Sequence, residues 1–188
     1  MKLADLVKTK ANRVLGIDAS TASVAFCLME NDVPIKWGKI ELKGNDIYEK
    51  IYDAKVKVRA MLEELKSDYI AVEGAVLVRS PDAVIKLSYV YGVVISELMS
   101  TGAKVITISP TSWQAYIGNK NPTKDEKAAI RVKSPGYADS WYKNQLRNMR
   151  KQRTADYFNR KYNLNVVDFD VADSFGIAHY ANKVLTER

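Results

Sequence analysis

The chain has 188 residues, of which 47% are hydrophobic, so it is long and apolar enough for a domain with a sizeable core, which argues against general disorder. Its net charge of +7 favours acidic partners, with nucleic acid first among them. Because many soluble proteins are mildly basic, the distribution of the basic residues is more informative than their total.

Cysteine content and terminal composition exclude some further classes. The one cysteine, Cys27, rules out an internal disulfide bond and lies in a predicted strand, where we expect it to be a small buried core residue. No run of consecutive apolar residues approaches the roughly 20 that a membrane span needs. Residues 1–13 lack the apolar core of a signal peptide. We therefore expect a cytoplasmic protein without a membrane partner.

The predicted elements begin after a basic extension at residues 1–13, and residues 14–188 are predicted to form a single domain. The first apolar run, 14–29, is a strand that either continues or turns back at the small residues 19–23. Further strands are predicted at 34–42, 69–72 and 104–108, and helices at 47–65, 81–99, 109–117, 123–132, 140–162 and 170–184. Strands followed by alternating helices and strands predict an α/β fold with a mixed sheet.

The helix predicted at 81–99 carries apolar residues around more of its circumference than an amphipathic helix with one solvent-exposed face would. Ser80 is its expected cap and Pro81 its first residue. Its apolar residues are Val84, Ile85, Leu87, Tyr89, Val90, Val93, Val94, Ile95 and Leu98. We expect one side to pack against the sheet and another to meet a partner helix or a second subunit.

Four acidic residues stand out by the elements that carry them. Asp18 interrupts the first apolar run, and Glu73 directly follows the strand at 69–72. Asp170 and Asp173 are three residues apart at the start of the last helix, so they share one of its faces. A carboxylate in an apolar strand is costly unless a cation or hydrogen bonds stabilise it. Four such acids suit two hard divalent cations, which can stabilise the attacking and leaving oxygens of a phosphodiester.

Each acid also has a structural interpretation. Asp18 suits a turn at a strand end, Glu73 suits a pair with a lysine, and the two C-terminal acids suit a helix cap and first turn. Asp168 is a rival to Asp170 for the metal-binding position. His179 follows Asp170 by between two and three helical turns, and we interpret it as a satisfied or surface side chain rather than a ligand.

Short segments around these acids resemble the motifs of the RuvC-type Holliday junction resolvases. Residues Gly16–Ser20 resemble the first motif of that family, and residues Ala71–Glu73 resemble the second. Residues 80–93 resemble the long helix that follows the second motif, and Asp170–Ala178 resemble the closing acidic helix. Each motif is short and unspecific alone, whereas their order and spacing between residues 14 and 181 are specific as a set.

The resemblance implies an RNase H-like fold, a central mixed five-stranded sheet flanked by helices, and a homodimer formed through the helix at 81–99. It implies nicking of two symmetric strands at a four-way DNA junction, which leaves ligatable nicks with 5′-phosphate ends. Catalysis would depend on two Mg²⁺ or Mn²⁺ ions per active site. The catalytic, metal-binding role would pass to Asp18, Glu73, Asp170 and Asp173.

The chain also departs from the family pattern. The family often has an aromatic wedge shortly after the glutamate, whereas Val76 and Leu77 stand here, and this leaves the manner of junction opening unassigned. Trp113 stands where a lysine is common, while Lys127 matches the family's later basic residue. The stretch 133–153 is longer and more basic than in the bacterial enzymes, so the chain is more similar to phage-encoded relatives.

Basic residues are dense between Lys120 and Lys161. Lysine and arginine there would neutralise DNA phosphates without reading base sequence, unless they form only a solvated helix face. The predicted DNA contacts are Lys120, Lys124, Lys127, Lys143, Arg147, Arg150, Lys151 and Arg153.

Other functions compete with junction resolution. An RNase H-like enzyme, or a flap or branched-DNA nuclease of broader specificity, would use the same acids. Residues Gly16–Thr21 also resemble the phosphate-binding start of actin-like ATPases and sugar kinases, but 188 residues are few for their two lobes, and Glu73 would have no role. A junction-binding protein without catalysis would not need intact acids.

Overall fold

The computed structural model describes residues 13–74 and 80–186 of the chain. The predicted extension lies outside these residues except for Arg13, and Val76 and Leu77 also lie outside them. The described elements are β1 Arg13–Ala19, β2 Ser23–Glu30, β3 Val33–Glu41, α1 Ile47–Glu64, β4 Tyr69–Glu73, α2 Pro81–Ser100, β5 Lys104–Ile108, α3 Pro110–Tyr116, α4 Lys124–Lys133, α5 Asp139–Tyr162 and α6 Phe169–Thr186.

The strand β1 occupies the centre of a five-stranded sheet with the order β3-β2-β1-β4-β5. Strands β1, β2 and β3 are antiparallel neighbours, whereas β4 and β5 run parallel to β1. The predicted mixed five-stranded sheet flanked by helices is therefore confirmed. The first apolar run turns back rather than continues, because the Ser20 hydroxyl accepts the Ser23 backbone N–H at 3.0 Å between β1 and β2.

Alternate residues of β1 face opposite sides of the sheet, as the pleat of a strand requires. Leu15 and Ile17 lie in the apolar core that the sheet forms with α1 and α2. Val14 lies in the core that the sheet forms with α6, and Cys27 of β2 is buried in the same core. Asp18 has the same parity as Val14, so it lies on the face of the sheet that α6 covers.

Small residues let α6 approach β1 closely. A Cβ atom at Gly16 would lie 2.4 Å from the Ser174 carbonyl oxygen and 2.5 Å from the Ala178 backbone nitrogen. A Cβ atom at Gly176 would lie 2.4 Å from the ring of Trp113, which α3 carries. There is no room for a methyl group at either contact, and this close packing fixes the acidic start of α6 beside the end of β1.

Replacing Gly16 by alanine is expected to lower the free energy of unfolding by about 3 kcal/mol, because backbone atoms of α6 block the added methyl group. Urea denaturation measures the change. Wild-type stability in Gly16→Ala would contradict the close packing.

The helix α2 is long and apolar, and only part of it is covered by the chain itself. With a mean hydropathy of 1.4, it is the one helix among residues 13–74 and 80–186 that could cross a membrane by length and composition alone. Charged residues such as Lys86 and Glu97 interrupt its apolar sequence, and one such helix is weak evidence of a membrane span, because the core helix of a soluble protein passes the same test. Val90, Val94 and Leu98 are buried in the core shared with α1, and Glu97 pairs with Arg59 of α1.

Candidate active site

Asp18 and Glu73 lie side by side near the ends of adjacent parallel strands. The register pairs Ile17 of β1 with Val72 of β4, so the next residue of each strand is an acid. Both acids are partly buried. Ligands of open α/β sheets bind beyond the carboxyl ends of parallel strands, which is where this pair lies.

The other two acids come from the first two turns of α6. Asp168 caps this helix, because its carboxylate accepts the backbone N–H groups of Asp170 and Val171 at 2.9 and 3.1 Å. Asp170 is therefore not the cap, and its side chain projects on the same face as Asp173.

The carboxylates of Asp18, Asp170 and Asp173 converge at this point. One oxygen atom of each lies within 4.8 Å of the corresponding atoms of the other two. Glu73 adjoins them, since the charges of Asp18 and Asp173 both act on its carboxyl group. All four acids predicted from the sequence are thus brought together, and their role as metal ligands stays a prediction.

Burial and mutual repulsion hold protons on this group of acids. Burial first, and then the charge of Asp170, raises the pKa of Asp18 to about 6. Burial, followed by the charges of Asp18 and Asp170, raises the pKa of Asp173 to about 7. Burial and the same kind of repulsion raise the pKa of Glu73 to about 8, although the buried indole N–H of Trp113 opposes this rise.

Two lysines compensate part of the negative charge. Lys39 of β3 donates to Asp168 and to Asp170 Oδ2 at 3.1 and 2.9 Å. Lys151 of α5 donates to Asp170 Oδ1 at 2.6 Å and lies 3.6 Å from Asp173 Oδ2. Burial opposes ionisation of Asp170, but the hydrogen bonds from both lysines outweigh it and lower the pKa of Asp170.

The residues present fit hard divalent cations. The donor set consists of carboxylate oxygens, which are the ligands that Mg²⁺ and Mn²⁺ favour. Three of them converge from β1 and α6, and burial together with the charges of neighbouring acids raises the pKa of Asp18 and of Asp173. A divalent cation would relieve this repulsion and replace the bound protons.

The metal-free protein is expected to become less stable between about pH 5 and pH 8. The unfolded acids lose their protons near pH 4. The folded protein keeps them longer, because the pKa values of Asp18, Asp173 and Glu73 are raised to about 6, 7 and 8. The folded state therefore binds more protons in this range, and the free energy of unfolding should fall by several kcal/mol as pH rises.

Urea denaturation in EDTA across this pH range measures the effect. Millimolar Mg²⁺ should reduce the fall, because a bound cation takes the place of the protons. The Asp173→Asn variant should show a flatter dependence, since one of the three titrating groups is gone. Stability that rises from pH 5 to pH 8 in the metal-free wild type would contradict this electrostatic account.

A cleft of about 900 Å³ opens over the acids and continues between α2, α3 and α5. Five of the predicted DNA contacts line it, namely Lys127, Lys143, Arg147, Arg150 and Lys151. Leu87 and Tyr91 of α2 form part of its apolar wall. The cleft therefore joins the acids to a row of basic side chains, which suits a polyanion.

The remaining predicted contacts lie elsewhere. Lys120 and Lys124 are exposed but do not line the cleft. Arg153 pairs with Glu126 of α4, so it holds α4 against α5. Whether these three residues contact DNA stays a prediction.

His179 lies apart from the acids, in an aromatic group on the same face of the sheet. It is buried, and its Nδ1 lies 2.9 Å from Asp32 Oδ1 and 3.3 Å from the Tyr162 hydroxyl. Burial lowers its pKa although Asp32 opposes the change. The interpretation of His179 as a satisfied side chain agrees with these contacts.

Lys39 is the site residue that sequence reasoning missed. It lies on β3, where the sequence predicted a strand at 34–42 but no functional side chain. No sequence signal marks it, because its contacts with Asp168 and Asp170 depend on the way α6 crosses the sheet.

Comparison with known proteins favours a nuclease among the competing functions. A family model described as crossover junction endodeoxyribonuclease RuvC matches residues 14–133, which is more than half of the chain. The chain belongs to the RuvC family. The matched residues include Asp18 and Glu73, whereas Asp170 and Asp173 lie beyond them and are joined to the site by the fold.

Solved structures share this fold at low sequence identity. The structure of Thermus thermophilus RuvC in complex with a Holliday junction substrate has a TM-score of 0.66 at 14% identity, with 91% of this chain and 94% of that chain covered. The yeast mitochondrial Holliday junction resolvase Ydc2 has a TM-score of 0.59 at 14% identity, with 98% and 83% covered. No curated protein sequence matches the chain. The RuvC-type resemblance and the RNase H-like fold are thus confirmed, and the protein is an endodeoxyribonuclease of this family.

Proposed function

We propose that this RuvC-family endonuclease resolves four-way DNA junctions by paired cuts, with two Mg²⁺ or Mn²⁺ ions held by Asp18, Glu73, Asp170 and Asp173. The observation that carries the proposal is the meeting of these four acids at one end of a basic cleft. The family is metal-dependent, and the choice of metal and the number of ions belong to the proposal. We propose a cytoplasmic location, in a bacterium or an infected bacterial host.

In the proposed mechanism the metal ions supply the chemistry, and the protein side chains position the ions and the DNA. Divalent ions, when bound, activate water and stabilise the attacking and leaving oxygens of a phosphodiester. The packing of Gly16 against α6 holds the four acids in position. Lys143 and Arg147 in the cleft wall would bind phosphates of the DNA backbone and orient the strand over the acids.

Two symmetric cuts require two active sites, and we propose a homodimer formed through α2. Ile85, Tyr89 and Met99 of this helix are 50%, 46% and 61% exposed. They lie away from Val90 and Val94, which face the core of the same chain. A second copy related by twofold symmetry would cover these apolar side chains and place its own cleft on the same DNA junction.

A second candidate is a branched-DNA nuclease of broader specificity. The observation that favours it is the pair Val76 and Leu77, which stands where the family often has an aromatic wedge. Both candidates use the same acids, so only the choice among substrates separates them.

Incubation with labelled four-way junction, flap, duplex and RNA–DNA hybrid in Mg²⁺ tests the proposal. We expect symmetric cleavage of the junction, with ends that DNA ligase rejoins. Comparable cleavage of flaps would favour the second candidate, and cleavage of the hybrid alone would favour an RNase H-like activity. If no substrate were cut in either Mg²⁺ or Mn²⁺, the proposed function would be wrong.

Neutralising Lys143 and Arg147 together is expected to weaken junction binding. The Lys143→Gln/Arg147→Gln variant should bind at least about tenfold more weakly, because each lost phosphate contact removes counterion release. The slope of log affinity against log salt should fall by about 1 to 2 for the same reason. Fluorescence anisotropy in EDTA, over a salt series, measures both quantities without cleavage.

The matched control removes two positive charges outside the cleft. Lys55 and Lys66 are exposed and do not line it. Lys55→Gln/Lys66→Gln should keep nearly the wild-type salt slope. An equal loss in both double variants would show that net charge, rather than the cleft, governs binding.

A further inference from the structure

Lys151 lies among the acids of the proposed metal site rather than free on the cleft wall. Its Nζ is 2.6 Å from Asp170 Oδ1 and 3.6 Å from Asp173 Oδ2. Its side chain is 19% exposed, so most of it is shielded from water. A positive charge supplied by the chain itself therefore contacts two of the four proposed ligands.

The packing of α5 keeps the ammonium in this place. Ala155 and Phe158 follow Lys151 by four and seven residues, so the three share one face of α5. Ala155 and Phe158 are buried in the core that includes α6. Lys151 thus extends from a fixed helix face, and its contact with the start of α6 follows from the same interface.

Both carboxylate oxygens of Asp170 contact a lysine ammonium group in this arrangement. Lys151 contacts its Oδ1, while Lys39 donates to its Oδ2 at 2.9 Å. Asp168, which also contacts Lys39, is occupied in capping α6. A divalent cation that binds Asp170 and Asp173 must compete with a lysine ammonium for their oxygens.

Competition of this kind weakens binding. Mg²⁺ binds carboxylate oxygens at 2.0–2.1 Å, so an ion on these two carboxylates and the ammonium beside them would repel at close range. The ammonium must therefore move before the ion binds tightly. A DNA phosphate that enters the cleft offers the ammonium another anionic partner.

We propose that Lys151 is a positioning residue that holds Asp170 and Asp173 together in the DNA-free protein and weakens metal binding there until DNA enters. This inference rests on the proposed metal site. Its consequence is that the protein takes up its full complement of metal mainly when DNA is bound. Nicking would then be suppressed on any DNA that places no phosphate beside Lys151.

Isothermal titration calorimetry of Mn²⁺ binding to the full, DNA-free chain tests the inference at about pH 8.5, where proton competition is small. Lys151→Met should bind Mn²⁺ about tenfold more tightly than the wild type, because the competing charge is gone. Lys151→Arg keeps the positive charge and should stay within about threefold of the wild type. Lys151→Gln repeats the charge removal with a polar side chain, in case the methionine variant folds poorly.

Lys143→Met is the matched control. Lys143 lies on the same helix, eight residues or about 12 Å before Lys151, and lines the cleft. Its removal changes net charge equally and should leave Mn²⁺ affinity within about twofold of the wild type. An equal gain in affinity from Lys143→Met would show that overall charge, and not the Lys151 contact, sets metal affinity.

The outcomes separate this inference from the proposed function. If the wild type binds Mn²⁺ and cuts junctions, and both uncharged Lys151 variants bind Mn²⁺ as the wild type does, the inference alone is overturned. If neither the wild type nor any variant binds Mn²⁺ and no substrate is cut, the proposed function fails with it. Mn²⁺ binding that appears only when the charge of Lys151 is removed would be the strongest support.

Discussion

Replacing Asp18 by asparagine is expected to abolish junction cleavage and to stabilise the metal-free protein at pH 8. Asp18 adjoins Glu73 and converges with Asp170 and Asp173, so its loss removes a proposed ligand from the middle of the acidic group's contacts. We expect the cleavage rate to fall at least about 1,000-fold, which corresponds to about 4 kcal/mol of lost transition-state stabilisation. Junction binding in EDTA should persist, because the basic cleft is unchanged.

The Asp18→Asn variant should be more stable than the wild type although it is less active. Burial and repulsion raise the pKa of Asp18 to about 6, so at pH 8 its ionised form is held in an unfavourable place. A neutral amide removes this repulsion, and the free energy of unfolding should rise by about 1 to 3 kcal/mol. Single-turnover cleavage assays and urea denaturation measure the two effects. A variant that is inactive but less stable would indicate a purely structural role for Asp18.

Asp168→Asn is the matched control for this prediction. Asp168 caps α6 and contacts Lys39, but its carboxylate is not one of the three that converge. Asparagine also caps helices well, so the variant should lose at most about 1 kcal/mol of stability and keep most of its activity. A loss of activity as large as that of Asp18→Asn would restore Asp168 as a rival ligand.

The elements of the fold could be predicted because local patterns agree with the tertiary structure. Ser80 caps α2 through its hydroxyl, as its place before a proline predicts. The helix predicted at 47–65 is observed at Ile47–Glu64, with Asp46 as its cap. The turn between β1 and β2 stayed open in the sequence, because small residues such as Ala22 suit a continuous strand and a hairpin equally.

The four acids could be predicted for a related reason. Each lies near the end of a predicted strand or the start of a predicted helix. The apolar periodicity that predicts these elements therefore also predicts the position of the acid within them. Parallel pairing of β1 with β4 then places Asp18 beside Glu73. The approach of α6 depends on Gly16, whose need for space is visible only when Ser174 and Ala178 are seen against it.

The counter-charges could not be assigned from sequence alone. Lys151 is one of many basic residues in its stretch, and only the crossing of α5 over α6 separates it from its neighbours. Trp113 gives a similar lesson, since it stands where a lysine is common but is buried and packs against Gly176. Charge counts predict a basic surface, whereas the partner of each charge depends on helix packing.

Placing two charges on the uncovered side of α2 is expected to convert a dimer into a monomer. Ile85 and Tyr89 are four residues apart and 50% and 46% exposed, so they share one apolar face. In Ile85→Asp/Tyr89→Asp, two carboxylates would be buried without partners if the dimer formed, which costs several kcal/mol. Light scattering at micromolar concentration should report the mass of one 21.2 kDa chain for the variant and twice that mass for the wild type.

The same variant should make fewer paired cuts, while each active site should still hydrolyse phosphodiester bonds. Each monomer keeps its four acids and its cleft, so single nicks should persist while paired cuts on one junction become rare. Tyr48→Asp/Tyr52→Asp is the matched control, because both tyrosines of α1 are 70% exposed and have the same spacing. That variant should remain dimeric and make paired cuts. A wild-type protein that is monomeric at micromolar concentration, yet still cuts both strands together, would require that the junction itself assembles the two active sites.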